Sequence, residues 1–521
     1  MKSIVRLILV SLLCLSFIGS PLLAEDLKSE KLSDQDLNAL KVCEGVIQLF
    51  KQYPDSVWPG YNLAQRPFIV YMPEKWALLF NYPKEIDGFT SYPKDWPDLK
   101  TQALFHPGQY QELAGQLGFD LPIDSVKIVA VPFEEKSIVD FFGFIAHEAF
   151  HQYQGDKFGE IPWRREELYP IQDRQNTALA YLEMRLLMDA LKMVELNDEK
   201  KCREYVNQFV AIRDYRWKQS DPFVAKFEQG EELKEGTAKY VEVKSIDLAG
   251  KLKYKSSLDG MTRPLSEDFS QISWLEFLLE DFQHRITQNS VSPEDMPRNR
   301  IYPVGASLGF LLDYFKLAWK DEAQQAGSEF TFAQLFRDGL GVDSSQFENL
   351  LKEAKNNYGY EEILTSTDKL IQEYTDGFKK ELESFEAQSG YRIEIGLSSK
   401  NIKRTRSSRA KKWLVDNGSR ELHNHFNIYV LETVLSDDLL LQVHDAGLLE
   451  QNDWDKRIKK VAFFVPEITS IALDGTVVKP VNGTTYQFKK IEMVGKNLKF
   501  NYAKAGTFTL DQQRVNIDLI P

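Results

Sequence analysis

The sequence predicts an α+β protein: a long, mainly helical body with a small sheet, followed by a β-rich, sandwich-like C-terminal segment. Three observations carry this. Apolar positions recur at helical spacing through most of residues 33–387. Near Gly390 the pattern changes to short alternating runs separated by Asp-Gly, Asn-Gly and Ala-Gly turns, as β-hairpins require. The 521 residues, 43% hydrophobic and 27% charged, supply core material for two to four domains.

Residues 1–24 stand apart. Lys2 and Arg6 precede an apolar run from Leu7 to Ile18, and Pro21 to Ala24 has the character of a processing site. This is the pattern of a signal peptide, too short and wrongly flanked for a resident transmembrane helix. Cys14 lacks the small residue that usually precedes a lipidated cysteine, so lipoprotein anchoring is the lesser reading. A secreted or periplasmic protein is expected, with no transmembrane segment in the mature chain. Removing Lys2 and Arg6 takes the net charge from −13 to −15, which leaves no cationic excess for a nucleic-acid partner. Cys43 and Cys202 then remain, either as one disulfide or as two buried thiols.

A helix is predicted from Ser33 to Tyr53, with Ser33 or Asp34 as its cap. Strands are predicted at Arg66–Pro73 and at VKIVAVPF, Val126–Phe133. Three helical segments follow between Gln172 and Leu248, separated by Asn197-Asp198 and Ser220-Asp221-Pro222. Further helices are expected over Trp274–His284, Val304–Trp319, Thr331–Gly339 and Tyr360–Ala387. The predicted organisation is a body from 25 to 390 with a helical insertion at about 172–220, a basic linker at 391–412, and a β-rich domain at 413–521.

The chemistry concentrates in FFGFIAHEAFHQYQ, where His147 and His151 stand four residues apart with Glu148 between them. Helical geometry puts positions i and i+4 on one face, so both imidazoles can reach one metal ion, with Glu148 beside it. A site needs a third ligand. Glu228, Glu231, Glu235 and Glu242 lie on nearly one face of the third helical segment, and a solvated acidic face explains any one of them taken alone. Glu235 is distinguished by Gly236 and Ala238, small residues that let helices approach closely enough for a short carboxylate to reach a metal.

HEAFH followed by LKEGTAKYVE resembles the gluzincin metallopeptidases, the thermolysin-like, aminopeptidase-N-like and glycyl-aminopeptidase-like zinc enzymes. The resemblance covers roughly Val126 to Asp343 and implies a zincin-like catalytic domain. It implies Zn2+ held by His147, His151 and Glu235, with Glu148 as general base. Tyr302, followed by Gly305 and Ala306, resembles the Tyr-x-x-Gly-Ala opening of the helix whose tyrosine stabilises the oxyanion in those enzymes. The implied activity is hydrolysis of a peptide or protein substrate by water that zinc activates.

Two departures bear on specificity. Between His151 and Glu235 lie far more residues than in the aminopeptidase-N branch, so a helical hairpin is inserted, shaping or covering the cleft. There is also no Gly-x-Met-Glu-Asn element for a substrate's amino terminus, and nothing singles out Glu134 or Glu135 for that role. Three readings stay open on sequence: a zinc metallopeptidase, exo- or endo-acting; an inactive, zinc-stabilised peptidase-fold protein that binds protein or glycan; and a protein with no metal. His106, His284, His423, His425 and His444 are assigned no function, and the residues do not decide the oligomeric state.

Overall fold

The computed structural model describes residues 32–519 except 73–74, 111–112, 114–117, 124–125, 134–137, 160–164, 253–268, 270–272, 288–290, 399–401, 408–410, 416–419, 427–428, 434–438, 445 and 454–455. The predicted signal peptide, Glu134 and Glu135 lie outside them. The chain is α+β and divides into two compact units, one from Ala24–Glu166 and Gln175–Thr365, the other including Glu167–Arg174 and Ser366–Pro521.

The first unit opens with α1, Asp34–Gln52. Ser33 caps it: its hydroxyl accepts from the Asp36 amide at 3.2 Å, and the Asp36 carboxylate accepts from the Ser33 amide at 2.8 Å. This reciprocal pair satisfies two of the orphan amides of the first turn. The same carboxylate receives the Trp76 indole at 2.8 Å, which ties the cap to the sheet.

That sheet has six strands among the described residues: β1 Phe68–Met72, β2 Trp76–Phe80, β3 Thr90–Ser91, β4 Ala103–Pro107, β5 Gly118–Ile123 and β6 Val126–Pro132. Their order is β3-β4-β2-β1-β6-β5, and only the β1–β6 pairing is parallel. β1 and β2 are buried along their whole length, hence their unbroken apolar runs. β6 leads to α2, Ile138–Lys157, the helix that carries His147 and His151. Phe141, Phe142, Ile145 and Phe150 of α2 are buried, each contributing about 2 kcal/mol relative to exposure.

The expected insertion is a helical hairpin, α3 Arg174–Glu195 and α4 Glu199–Gln219, with Asp198 capping the second helix. The third helical segment is not a plain α-helix. It consists of α5 Pro222–Glu231, a π-helical turn Glu232–Gly236, and α6 Thr237–Lys251. α7 spans Trp274–Thr287 and α8 spans Ile301–Tyr314. α8 begins three residues before the predicted start because Pro303 falls in its first turn, where an amide hydrogen has no intrahelical partner to lose. It stops before Trp319, and Lys316 just beyond it is left-handed at φ 57°.

Among the described residues, the second unit is a β-sandwich of an eight-stranded and a seven-stranded sheet sharing one core. Ile393, Ile395 and Leu397 of the strand Tyr391–Ser398 face Leu439, Leu441 and Val443 of the strand Leu439–Val443, each alternating inward. Residues 391–412 are therefore no linker, as the sequence had suggested. Tyr391–Ser398 is an interior strand of the larger sheet, Ile402–Ser407 an edge of the smaller one, and Lys411 begins another strand. The basic residues mislead because a run of cations does not by itself distinguish a strand from a solvated linker. The helix Tyr360–Glu386 joins this unit from Ser366 onward, for Tyr374 packs on Trp413 and Phe385 on Phe464. Asp474 and Gly475 form a two-residue hairpin with φ of 51° and 83°, as the predicted Asp-Gly turn demands.

Candidate metal centre

α2 places His147 and His151 on one face, and the π turn presents Glu235 to them. His147 Nε2 and His151 Nε2 are 3.2 Å apart. Glu235 Oε2 lies 3.6 Å from the first and 3.2 Å from the second. Zinc bonds of about 2.0–2.1 Å in a tetrahedron put ligand atoms about 3.3–3.4 Å apart. The three atoms thus already form the base of such a tetrahedron, buried at 4–5% exposure.

The outer side of each imidazole fixes its tautomer. His147 Nδ1 stands 3.1 Å from Glu242 Oε2, and a carboxylate can only accept, so Nδ1 donates. His151 Nδ1 stands 2.7 Å from Gln154 Oε1. The Gln154 amide cannot be turned round, because its Nε2 faces the Leu233 and Lys234 carbonyls. With both Nδ1 atoms donating, both neutral rings aim an Nε2 lone pair at one point, beside a carboxylate. Lone pairs so close together repel unless a cation or a proton lies between them. The donor set, two imidazoles and one carboxylate with oriented outer partners, fits a divalent transition metal, zinc among them.

Two glycine crossings bring the helices this close. A Cβ on Gly143 of α2 would stand 2.7 Å from Ile246 Cδ1 and 2.8 Å from Glu242 Cγ, so α6 approaches α2 where Glu242 meets His147. A Cβ on Gly236 would stand 2.7 Å from Gly305 Cα. Gly236 was expected to bring Glu235 towards the histidines; what it meets is α8, and the approach to α2 uses Gly143.

α8 carries Tyr302 in its first turn. The phenol ring stacks on His147, centroids 5.8 Å apart and planes at 26°. Its hydroxyl receives the Arg298 Nε proton at 3.3 Å and feels the charge of the Glu235 carboxylate. Glu148 follows His147 on α2 at 9% exposure, and its negative charge acts on the imidazole. All five residues singled out in the sequence are thus in one place.

Charge shapes the cradle. Burial alone would lower the His147 pKa, but hydrogen bonds to Glu235 and Glu242 and the charges of Glu242 and Glu148 outweigh it and raise it to about 9. Burial works against the Glu235 carboxylate too, yet His151 and His147 hold it far below the ordinary carboxylate range. Glu242, likewise buried, is lowered to about 2 by Lys239 and His147. The anionic pocket therefore demands positive charge, as a proton on His147 or as a metal ion. Tyr302 stays a neutral phenol, since burial and the Glu235 charge raise its pKa against the opposing pull of Arg298.

The other glutamates of this segment are not a solvated face. Glu228, Glu231, Glu232 and Glu242 are all buried. Glu183 of α3 accepts from Arg213 Nε at 2.8 Å and Arg216 Nε at 2.7 Å of α4. Arg213 also donates to Glu232 at 2.8 Å, and Arg216 to Glu228 at 2.5–2.8 Å. Glu228 bonds Arg300, two residues before Tyr302. Three carboxylates and three guanidiniums thereby neutralise one another and join the hairpin to the π turn and to α8. The signal was in the sequence: glutamates recurring at helical spacing opposite Arg213 and Arg216, read as solvent-facing for lack of a known partner.

Among the described residues, His147, His151 and Glu235 form the one cluster able to hold a metal ion. The side chains of His284, His423 and His425 lie outside the description. Cys43 and Cys202 are separate buried thiols, which removes the disulfide alternative; burial pushes Cys202 up to about 12. No helix of the described residues is long and apolar enough to cross a membrane. No family model, curated protein or solved structure matches the chain.

Proposed function

We propose that the protein is a zinc-dependent peptidase, held by a zincin-like body and exported by the N-terminal 24 residues to the periplasm or the exterior. The observation that carries the reading is the triangle of His147 Nε2, His151 Nε2 and Glu235 Oε2, with edges of 3.2–3.6 Å and both Nδ1 atoms engaged behind it. Glu148 supports a catalytic rather than a purely structural site, since structural zinc has no use for a carboxylate beside its ligands. The resemblance of HEAFH and LKEGTAKYVE to the gluzincins agrees with it.

Zinc held by these three residues supplies a Lewis acid that polarises a carbonyl and activates water. His147 and His151 keep their Nδ1 protons on Glu242 and Gln154, and so present nitrogen lone pairs inward. Glu148 accepts a proton from the attacking water and returns it to the leaving amine. Tyr302, its oxygen already accepting from Arg298, turns its own proton inward and donates to the oxyanion formed at the scissile carbonyl.

The test is Glu148→Gln, assayed against a broad peptide library with zinc content measured in parallel. Zinc should be retained while hydrolysis falls by a factor on the order of 10²–10⁴. Undiminished hydrolysis in that variant refutes the assignment. A wild-type protein that binds zinc stoichiometrically yet cleaves no peptide points instead to a binding protein on a peptidase framework.

A further inference from the structure

Gln154 lies nearly one turn beyond His151 on α2 and is 3% exposed. Its carboxamide reaches in two directions. Oε1 accepts from His151 Nδ1 at 2.7 Å. Nε2 lies 2.8 Å from the Lys234 carbonyl, 3.2 Å from the Leu233 carbonyl and 2.8 Å from Thr237 Oγ1. Leu233 and Lys234 belong to the π turn and immediately precede Glu235.

A π turn displaces the helical hydrogen-bond ladder by one residue, so carbonyls at its junction with α-helix look for donors outside the backbone. Two side chains supply them here. The Thr237 hydroxyl donates to the Leu233 carbonyl at 2.6 Å. With its proton spent there, its oxygen can only accept, and the Gln154 amide is the donor it faces. An amide accepts from an imidazole at its oxygen and donates through two hydrogens at its nitrogen, so one neutral side chain serves both sides.

We infer that Gln154 is the positioning residue that makes His151 and Glu235 a single metal-binding unit, fixing the tautomer of the first and clamping the turn that projects the second. This rests on the zinc reading of the site. The hairpin also holds this turn, through the bond from Arg213 to Glu232. Gln154 differs from that contact in touching a metal ligand directly.

Zinc affinity of the purified full-length protein, measured by competition with a chromophoric chelator, tests the inference without recourse to activity. Gln154→Glu keeps an acceptor for His151 but cannot donate to the Leu233 and Lys234 carbonyls. Gln154→Asn keeps the amide but is one methylene short of spanning both sides. Each variant should lose zinc affinity by about tenfold or more. Each should also release zinc into excess chelator correspondingly faster, a rate read on zinc-loaded protein even if one metal-free variant does not fold. Affinity and release within twofold of wild type for both variants overturn the inference while leaving the zinc site standing. Failure of the wild type itself to bind zinc removes the site, and the inference with it.

Discussion

Gly236 and Gly305 meet backbone to backbone, so that a Cβ on Gly305 would stand 2.5 Å from Gly236 Cα. Gly236 follows Glu235, and Gly305 lies about one turn after Tyr302, so this contact sets how far the phenol stands from the candidate ligand. Gly305→Ala has no flexible side chain to displace and must push α8 away from the π turn. Overpacking of this kind destabilises by about 1–3 kcal/mol. Thermal unfolding should show that loss, and hydrolysis should fall further than unfolding explains, while zinc content holds. A variant as stable and as active as wild type would mean that the crossing does not govern the site.

Tyr302→Phe removes one hydroxyl and leaves the ring on His147. If the phenol donates to the oxyanion, kcat should fall about 10²–10³-fold with KM little changed, the loss typical of one oxyanion donor. Arg298→Gln should act through Tyr302 and cost less, because the guanidinium only orients the hydroxyl, at 3.3 Å. In a Tyr302→Phe background the Arg298 substitution should then add almost nothing, and the double-mutant cycle is the measurement. Full additivity would separate the two residues.

How much of this was legible in the sequence follows from the range of each interaction. A cap at Ser33 or Asp34, β6 before α2, and the i, i+4 histidines are local, and the sequence shows them plainly. Glu235 was separable from its neighbours only through the small residues Gly236 and Ala238, and Gly236 meets α8 rather than α2. Glu228 looked solvated because its partners Arg216 and Arg300 come from other helices, and no local pattern announces a charge neutralised at a distance. The π turn escaped notice for a similar reason. Its side chains satisfy helical periodicity, and what departs from it is the backbone, held by Gln154 from another helix. Residues 391–412 failed differently: their cations suggest a solvated linker, yet Tyr391–Ser398, Ile402–Ser407 and Lys411–Val415 are strands.

The pH dependence follows from His147. Its pKa in the metal-free fold is about 9 against an ordinary 6.5, with burial opposing the shift and Glu235 and Glu242 enforcing it. A raised folded pKa stabilises fully below the unfolded value, so this contribution is present below about pH 6.5 and is lost as pH rises towards 9. If zinc is held here, the His147 ring would bind it through a neutral nitrogen, and the loss would not occur. The rise in Tm on adding buffered zinc should therefore grow between pH 6.5 and 9 and level off above it. A rise independent of pH across that window would show that His147 carries no proton to displace.

The buried charge network makes the most exacting stability prediction. Arg216 is fully buried and bonds both Glu183 and Glu228. Arg216→Met retains the volume and removes the cation, leaving two carboxylates at 0% exposure with fewer partners than charge requires. Breaking one side of a buried network typically costs about 3–5 kcal/mol, because the stranded charge stays desolvated. The comparison is Lys218→Met one turn fragment away on the same helix, whose 2.7 Å pair with Asp214 is exposed and screened. Denaturant midpoints should fall steeply for Arg216→Met and hardly move for Lys218→Met. Because Glu228 also bonds Arg300, two residues before Tyr302, the Arg216 variant should lose hydrolysis even at temperatures where it remains folded. Equal midpoints for the two variants would mean that the six charges do not act as one unit, and that the hairpin is attached to the site without supporting it.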